Sequence, residues 1–370
     1  MPAEPVNQQA LNRATLERQH LLRRAQMSVV GMIEHLVGLQ AQTPHTAYVG
    51  LWDRIEGFAP DQLADRIVDR SVVRMALMRG TIHLVTAADA WGLRPLMQPV
   101  LDRVQRSNFD KRLGRVDRQV LVAEGRSFVT EQPRTFKELG DHLLERWPDG
   151  DRMAMEQTVR TEVPLVQVPP RGLWGRSGPI AHTSIEAWLG EGPATLPTVD
   201  DVVRRYLGAF GPASVMDVQA WCGLTRTKDV IERLRPELTE LRGADGRQLF
   251  DLPDAARPGP DVPAPPRYLY DFENILLSYA DRSRFIQPGL ARSLTERTQE
   301  SLSTVILDGV VAGIWAVRRE RSTATLVVTP FRRISGTERG ALEVEGSRLL
   351  AFLAADATDR DIRVDPVRVP

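Results

Sequence analysis

A chain of 370 residues is longer than one hydrophobic core usually organises, so two to four domains are expected. Its 42 % apolar and 26 % charged residues are values of a soluble globular protein, and a net charge of zero gives no guide to partners. No run approaches the roughly 18 apolar residues of a membrane span, the start "MPAEPVNQQALNR" lacks the features of a secretory signal, and the single cysteine, Cys222, excludes an internal disulfide and a cysteine zinc site. The expected compartment is the cytoplasm, with no membrane partner. Lys111, Lys137 and Lys228 are the only lysines among 48 basic residues. Arginine suits bidentate phosphate contacts, although a high-GC genome produces the same bias.

In chain order, residues 28–39 place Val29, Met32, Ile33, Leu36 and Val37 on one face of an amphipathic helix, with Ser28 as its N-cap. This helix is expected to reach Leu39, so that "HLVGLQAQTP" (35–44) ends it with two glutamines, Gln40 and Gln42, one residue apart. Helices follow over 47–55 and over 60–68, the latter with Pro60 at its first position. "SVVRMALMRGTIHLVT" then reads as two strands around Arg79-Gly80. Three helices and a hairpin are the order of a winged helix.

The order recurs. Residues 117–130, "TFKELGDHLLERW" and "DRMAMEQTVRTEV" read as three helices, followed by a strand pair within "PLVQVPPRGLWG". "VDDVVRRYLGAFG", "SVMDVQAWCGL" and "TRTKDVIERLRPEL" repeat the pattern before the hairpin "TELRGADGRQLFDL". Thr135 with Glu138, and Ser214 with Asp217, have capping-box spacing at the second helix of each unit. The proline-rich stretch 252–267 reads as a linker or stiff crossing. "STVILDGVVAGIWAV" is a hairpin around Asp308-Gly309, "TATLVVTPFRRI" a third strand, and 336–355 a last helix. The expected fold is α+β: three tandem winged helix-turn-helix units plus a small β-rich C-terminal domain. The boundaries are winged helix 1 with its N-terminal and connecting helices over 1–116, winged helix 2 over 117–198, winged helix 3 over 199–262, and the C-terminal domain over 263–370.

The six histidines, His20, His35, His45, His83, His142 and His182, form no metal-binding pair, and phosphate-binding glycine loops and nucleophile-elbow serines are absent. Neither a metal nor a cofactor is expected. Winged helices in series point to duplex DNA, with the third helix in the major groove and the wing on the backbone. Third-helix candidates are Arg152 and Arg160 in the second unit, and Arg226, Lys228 and Arg233 in the third. A transcription regulator binding duplex DNA without catalysis, or a protein-interaction scaffold, would use the same modules. The seven tryptophans read mostly as core.

The helix ending in "GLQAQTP", the hairpin "MRGTIHLVT", the segment "YDFENILLSYADRSRF" and the hairpin "VILDGVVAGIWAV" together resemble the winged-helix DNA glycosylases, in the AlkZ-type branch that unhooks interstrand crosslinks as antibiotic self-resistance. The resemblance covers nearly the whole chain. It implies a catalytic Gln–apolar–Gln triplet, here Gln40-Ala41-Gln42, acting on duplex DNA that carries alkylated guanine. With no long heptad or evident dimer helix, a monomer is expected, associated with the nucleoid.

N7-alkylation places a positive charge on guanine, so the glycosidic bond is already polarised. Two neutral amides then suffice to position water and stabilise an oxocarbenium-like sugar. No lysine lies near the triplet to form a Schiff base, which implies monofunctional hydrolysis. Further DNA-binding candidates are Arg79, Thr81 and His83 in the first wing, where alternation sends one face outward. Arg282 and Arg284 are others, with Asp271 and Asp281 to orient them. The Asp308-Gly309 hairpin reaches toward the lesion by analogy.

Overall fold

A computed structural model describes residues 5–290 and 302–368. The chain opens with α1 (Gln8–Arg18) and α2 (Val29–His35), then β1 (Leu39–Gln40), α3 (Thr46–Trp52), α4 (Pro60–Val68), β2 (Val72–Ala76) and β3 (Ile82–Thr86). Connecting helices α5 (Ala87–Leu96), α6 (Gln98–Asn108) and α7 (Asp110–Leu113) lead to α8 (Arg118–Glu131), β4 (Arg134–Thr135), α9 (Phe136–Arg146), α10 (Arg152–Glu162), β5 (Leu165–Gln167), β6 (Ala181–Ser184) and α11 (Ile185–Leu189). Next come α12 (Val199–Phe210), α13 (Val215–Cys222), α14 (Thr227–Leu234), β7 (Thr239–Arg242) and β8 (Gln248–Asp251). The C-terminal part holds β9 (Arg267–Leu269), α15 (Asn274–Leu277), β10 (Thr304–Leu307), β11 (Val310–Glu320), β12 (Thr323–Pro330), α16 (Gly336–Leu353) and β13 (Asp359–Val364). The class is mixed α+β, and no described helix is long and apolar enough to cross a membrane.

Three stretches thus place three helices before an antiparallel strand pair. In each, the chain between the first and second helix pairs with the returning strand: Gln40 with His83, Thr135 with Ala181, and Ala213 with Phe250. The capping boxes form as the spacing implies, Ser214 Oγ accepting from Asp217 N at 3.2 Å and Thr135 Oγ1 from Glu138 N at 3.2 Å. The first two hairpins share one six-stranded sheet, in the order β1-β3-β2-β5-β6-β4, which joins strands on both sides of residue 116.

Two expectations are corrected here. The helix over 28–39 stops at His35. Val37 (φ 54°) and Gly38 (φ 92°) are both left-handed, and Gly38 N donates to Ile33 O while Val37 N donates to Glu34 O, the paired bonds of a Schellman end. Gly38 is required for a second reason: a Cβ there would lie 2.6 Å from Val85 Cγ1 and 3.0 Å from Leu84 O. The backbone can therefore turn into β1 directly against β3. The second hairpin's return strand is also not within 164–175. Pro169, Pro170 and Pro179 cannot donate to a ladder, so the chain loops out and returns only as β6.

The C-terminal sheet runs β13-β12-β11-β10-β9, antiparallel except for the β12–β13 pair. Asp308 (φ 48°) and Gly309 (φ 78°) form its tight turn. One core cluster unites α2, α3 and α4 with this sheet and α16, through Met32, Tyr48, Tyr270, Leu326 and Leu349. Another unites β2 and β3 with the third stretch, through Met75, Val85, Tyr206 and Trp221. The bidentate pairs Arg54–Glu273 and Arg18–Asp251, all four groups buried, tie the segment just after α3 to residue 273 before α15, and the end of α1 to the end of β8.

Candidate active site

Ala41, the middle residue of the glutamine triplet, belongs with Leu39 to the core cluster of α2, α3 and α4. In the second stretch the helix starts at Phe136, directly after the paired Thr135, and in the third at Val215, with only the N-cap Ser214 after the paired Ala213. In the first, residues 41–45 intervene between β1 and α3. The triplet therefore leaves the sheet edge as a short loop anchored at both ends.

Gln40 belongs to the sheet and is 3 % exposed. Its backbone N–H donates to Asn274 Oδ1 at 3.2 Å, and its side-chain Oε1 accepts from Arg79 Nη2 at 2.5 Å. A guanidinium carries only donors, so the oxygen end of the amide must face Arg79 and Nε2 must face away. Arg79, at left-handed φ 56° in the first hairpin turn, also donates to Trp221 O at the end of α13. Burial, more than any neighbour, pushes its pKa down to about 10, with Arg282 adding to the effect.

Ala41 is buried, its N–H donating to Ile82 O at 2.8 Å and its C=O accepting from Arg74 Nη2 at 2.6 Å. Gln42 is exposed. Its Oε1 accepts from Ile82 N at 3.1 Å, so its Nε2 too points away from β3. Thr43 Oγ1 donates to the buried Asp271 at 2.5 Å and ties down the loop's far end. Both carboxamides are thus held by donors at one end. Each keeps an N–H pair and a second carbonyl lone pair for other partners.

His83 faces Gln40 across the β1–β3 pair and is buried. Its Nδ1 lies 3.0 Å from Thr81 O, an acceptor, which assigns the proton to Nδ1. Burial, then Arg79 beside it, pushes its pKa down to about 3, so the ring is neutral. Alternation was expected to turn one wing face outward; His83 instead points into the protein, and Thr81 Oγ1 bonds Met78 O at 3.1 Å.

The remaining candidates divide. Arg282, half-buried, lies close enough to Arg79 to lower its pKa, and has no ion pair among the described residues. Arg284 is interior, with its guanidinium stacked 4.2 Å over Tyr279 and donating to Thr15 Oγ1 and Pro212 O, so its donors are already engaged within the protein. Asp271 and Asp281 orient neither arginine, being engaged by Thr43 and by Arg247. Arg152 at the start of α10 is matched by Asp141 and Glu156. Arg160 is half-buried beside Gln157. Arg226 is exposed and paired with Asp229, and Lys228 is exposed. None of these last four touches the triplet. The Asp308-Gly309 turn is pinned to α1, with Asn12 Nδ2 donating to Gly309 O at 2.8 Å and Arg13 paired with Asp308.

Sequence reasoning missed Asn274 and Arg74. Both carried a signal: a lone amide inside "FENILL" and a lone charge inside the apolar strand "SVVRMALM".

Comparisons with known proteins agree with this architecture. The family described as DNA glycosylase AlkZ-like matches residues 33–352. An interstrand DNA cross-link repair glycosylase from Streptomyces sahachiroi is 27 % identical over 360 residues, 90 % of this chain and 93 % of the relative. The solved structure of Streptomyces sahachiroi DNA glycosylase AlkZ superposes with a TM-score of 0.75 at 21 % identity, covering 98 % of this chain and all of that one, which establishes a shared fold. The chain belongs to the AlkZ-like DNA glycosylase family.

Proposed function

We propose that this protein is a monomeric, monofunctional DNA glycosylase that hydrolyses the N-glycosidic bond of N7-alkylguanine in duplex DNA, including bulky adducts and interstrand crosslinks. The observation that carries the reading is the fixed orientation of two amides at one strand end, Gln40 by Arg79 and Gln42 by Ile82 N. The relative's activity on interstrand crosslinks supports the substrate class. We read the three helix–hairpin stretches as three winged helices, supported by the matching strand pairings of Gln40, Thr135 and Ala213.

Gln42, the exposed member, holds a water with its remaining carbonyl lone pair, aimed at C1′ of the damaged nucleotide. Gln40 directs its Nε2 pair at the sugar–phosphate edge. The cationic base is the leaving group, and bond breaking moves positive charge from base to sugar, where carbonyl dipoles stabilise it without a desolvated carboxylate. Water then adds to C1′ and releases its proton to solvent. The three lysines lie on α7, α9 and α14, off the triplet's elements, which supports hydrolysis without a Schiff base.

Base release from a duplex carrying one N7-methylguanine tests the reading. Release by the wild type, lost in Gln40→Ala/Gln42→Ala with DNA binding retained, is expected. No release with tight binding to undamaged duplex would overturn it in favour of a regulator. An open cleft accepts a guanine tethered to the opposite strand, which a closed base pocket does not. Activity on the methyl adduct with none on a crosslink would remove the crosslink from the substrate range.

A further inference from the structure

Buried and half-buried arginines in this neutral chain are commonly matched by carboxylates, as Arg18 is by Asp251, Arg54 by Glu273 and Arg205 by Asp89. Arg74 is not. It stands in the middle of β2, 3 % exposed, with Nη2 on Ala41 O while Nε and Nη1 have no partner. The largest charge effect acting on it comes from another cation, Arg171. His45, at the end of the triplet loop, has a buried Nδ1 without a partner, and Arg74 and Arg171 both reinforce the effect of burial in keeping it neutral.

Arg171 belongs to the proline-bounded loop between β5 and β6, and among the described residues its side chain makes only a 3.5 Å contact with Gly178 O. The next residue, Gly172 (φ 96°), crosses Arg74 so closely that a Cβ would lie 3.3 Å from Arg74 Cδ. Tyr48 holds this crossing by donating to Gly172 O at 2.9 Å. Three nitrogen-bearing groups from separate elements therefore meet between the triplet loop and the second wing, with no anion among the described residues to balance them. Crowding desolvated like charges is unfavourable by itself. An anion with several acceptor oxygens reverses that cost.

We propose that Arg171 and His45, with the buried Arg74 behind them, form a subsite for a DNA backbone phosphodiester, holding the strand beside Gln42. The proposal rests on the reading that the protein acts on DNA. It gives the second wing the task of fixing the strand's register against the triplet, and no bond changes in it.

The test uses the full chain and a duplex in which the target nucleotide is an abasic-site analogue, so that no bond is broken. Affinity is measured across salt concentrations for wild type and Arg171→Ala. Losing one phosphate contact is expected to lower the slope of log K against log [salt] by about 0.9. Arg319→Ala, whose partner is Asp356 in the C-terminal part, controls for charge deletion and is expected to keep the wild-type slope. A scan of neutral methylphosphonates along the strand provides a second readout that leaves the protein unaltered. At one position the substitution is expected to weaken the wild type and to have no further effect on Arg171→Ala. An unchanged slope in Arg171→Ala, or full additivity at every position, would overturn the subsite. Release of N7-methylguanine is followed separately: its absence with the slope change intact overturns the glycosylase reading alone, and its presence with an unchanged slope overturns the subsite alone.

Discussion

Asn274 closes the outer edge of the strand that carries Gln40. Its Nδ2 donates to Gly38 O at 2.8 Å and its Oδ1 accepts from Gln40 N at 3.2 Å, so one side chain stands in for a neighbouring strand. β1 is two residues long and outermost in its sheet, and these backbone groups are buried. Glu273, next in the chain, is locked to Arg54, which fixes where Asn274 can sit.

Replacing Asn274 by Leu, of similar size, removes both bonds and leaves a buried N–H and C=O unpaired. Each such group costs about 1–3 kcal/mol, so chemical denaturation is expected to show a loss of several kcal/mol. Where the variant still folds, kcat for base release is expected to fall more than affinity, because the amide bearing Gln40 is misplaced. A wild-type kcat in Asn274→Leu would show that the edge bond does not position the triplet.

Arg79 acts on the amide end of Gln40. In Arg79→Ala the carboxamide is free to rotate, and misorientation of this kind lowers kcat on the order of 100-fold. Arg79→Lys keeps the charge and loses the fork that reaches both Gln40 Oε1 and Trp221 O. It is therefore expected to restore affinity for undamaged duplex more than it restores kcat. Equal recovery of both parameters would mean that Arg79 contributes only charge.

Gly38→Ala places a Cβ at a left-handed residue and 2.6 Å from Val85 Cγ1. Strain and overpacking together are expected to cost roughly 2–4 kcal/mol in a denaturant melt. Val85→Ala in the same chain removes the side-chain clash while leaving the backbone strain. Recovery of part of the loss, beyond what Val85→Ala costs alone, identifies the steric share.

Acidification is expected to weaken the fold. Burial pushes His83 and His182 down to about 3 and His20 to about 4, from an ordinary 6.5. Between pH 6.5 and those values the unfolded chain binds the extra protons, so stability falls as pH falls, by roughly 1.4 kcal/mol per pH unit for each fully buried ring. Asp53, pushed up to about 8 by burial, works in the opposite direction between 3.8 and 8 and offsets part of this. Urea midpoints measured from pH 7 to pH 5 are expected to decline, and His83→Asn is expected to flatten the decline. The same neutrality predicts that kcat shows no histidine ionisation near pH 6.5 assignable to His83.

Local pattern carried much of the fold into the sequence. Ser28, Thr135 and Ser214 cap the helices their spacing predicts, and Asp308-Gly309 turns where two β-rich runs require it. Periodicity extends α2 beyond His35 because Leu36 and Val37 continue its apolar stripe. Side-chain periodicity does not register the left-handed backbone that ends it at Val37 and Gly38. β13 escaped for a related reason: "DRDIRV" has little apolar content, and its strand conformation depends on parallel pairing with β12.

For the site, the sequence by itself determined the placement of Gln40 and Gln42 beside an apolar helix and the chemical types available there. It also determined that no cysteine cluster or phosphate-binding glycine loop competes with them. Tertiary structure alone decided which end of each amide is held, because Arg79, Ile82 and Asn274 reach the triplet from 39, 40 and 234 residues away. It likewise decided that Arg284 is interior while Arg74 and Arg171 influence each other with no carboxylate paired to either among the described residues. Burial and charge pairing are properties of what packs nearby in space. Side-chain periodicity reports only one element's own faces, so such partnerships appear only once the elements have been brought together.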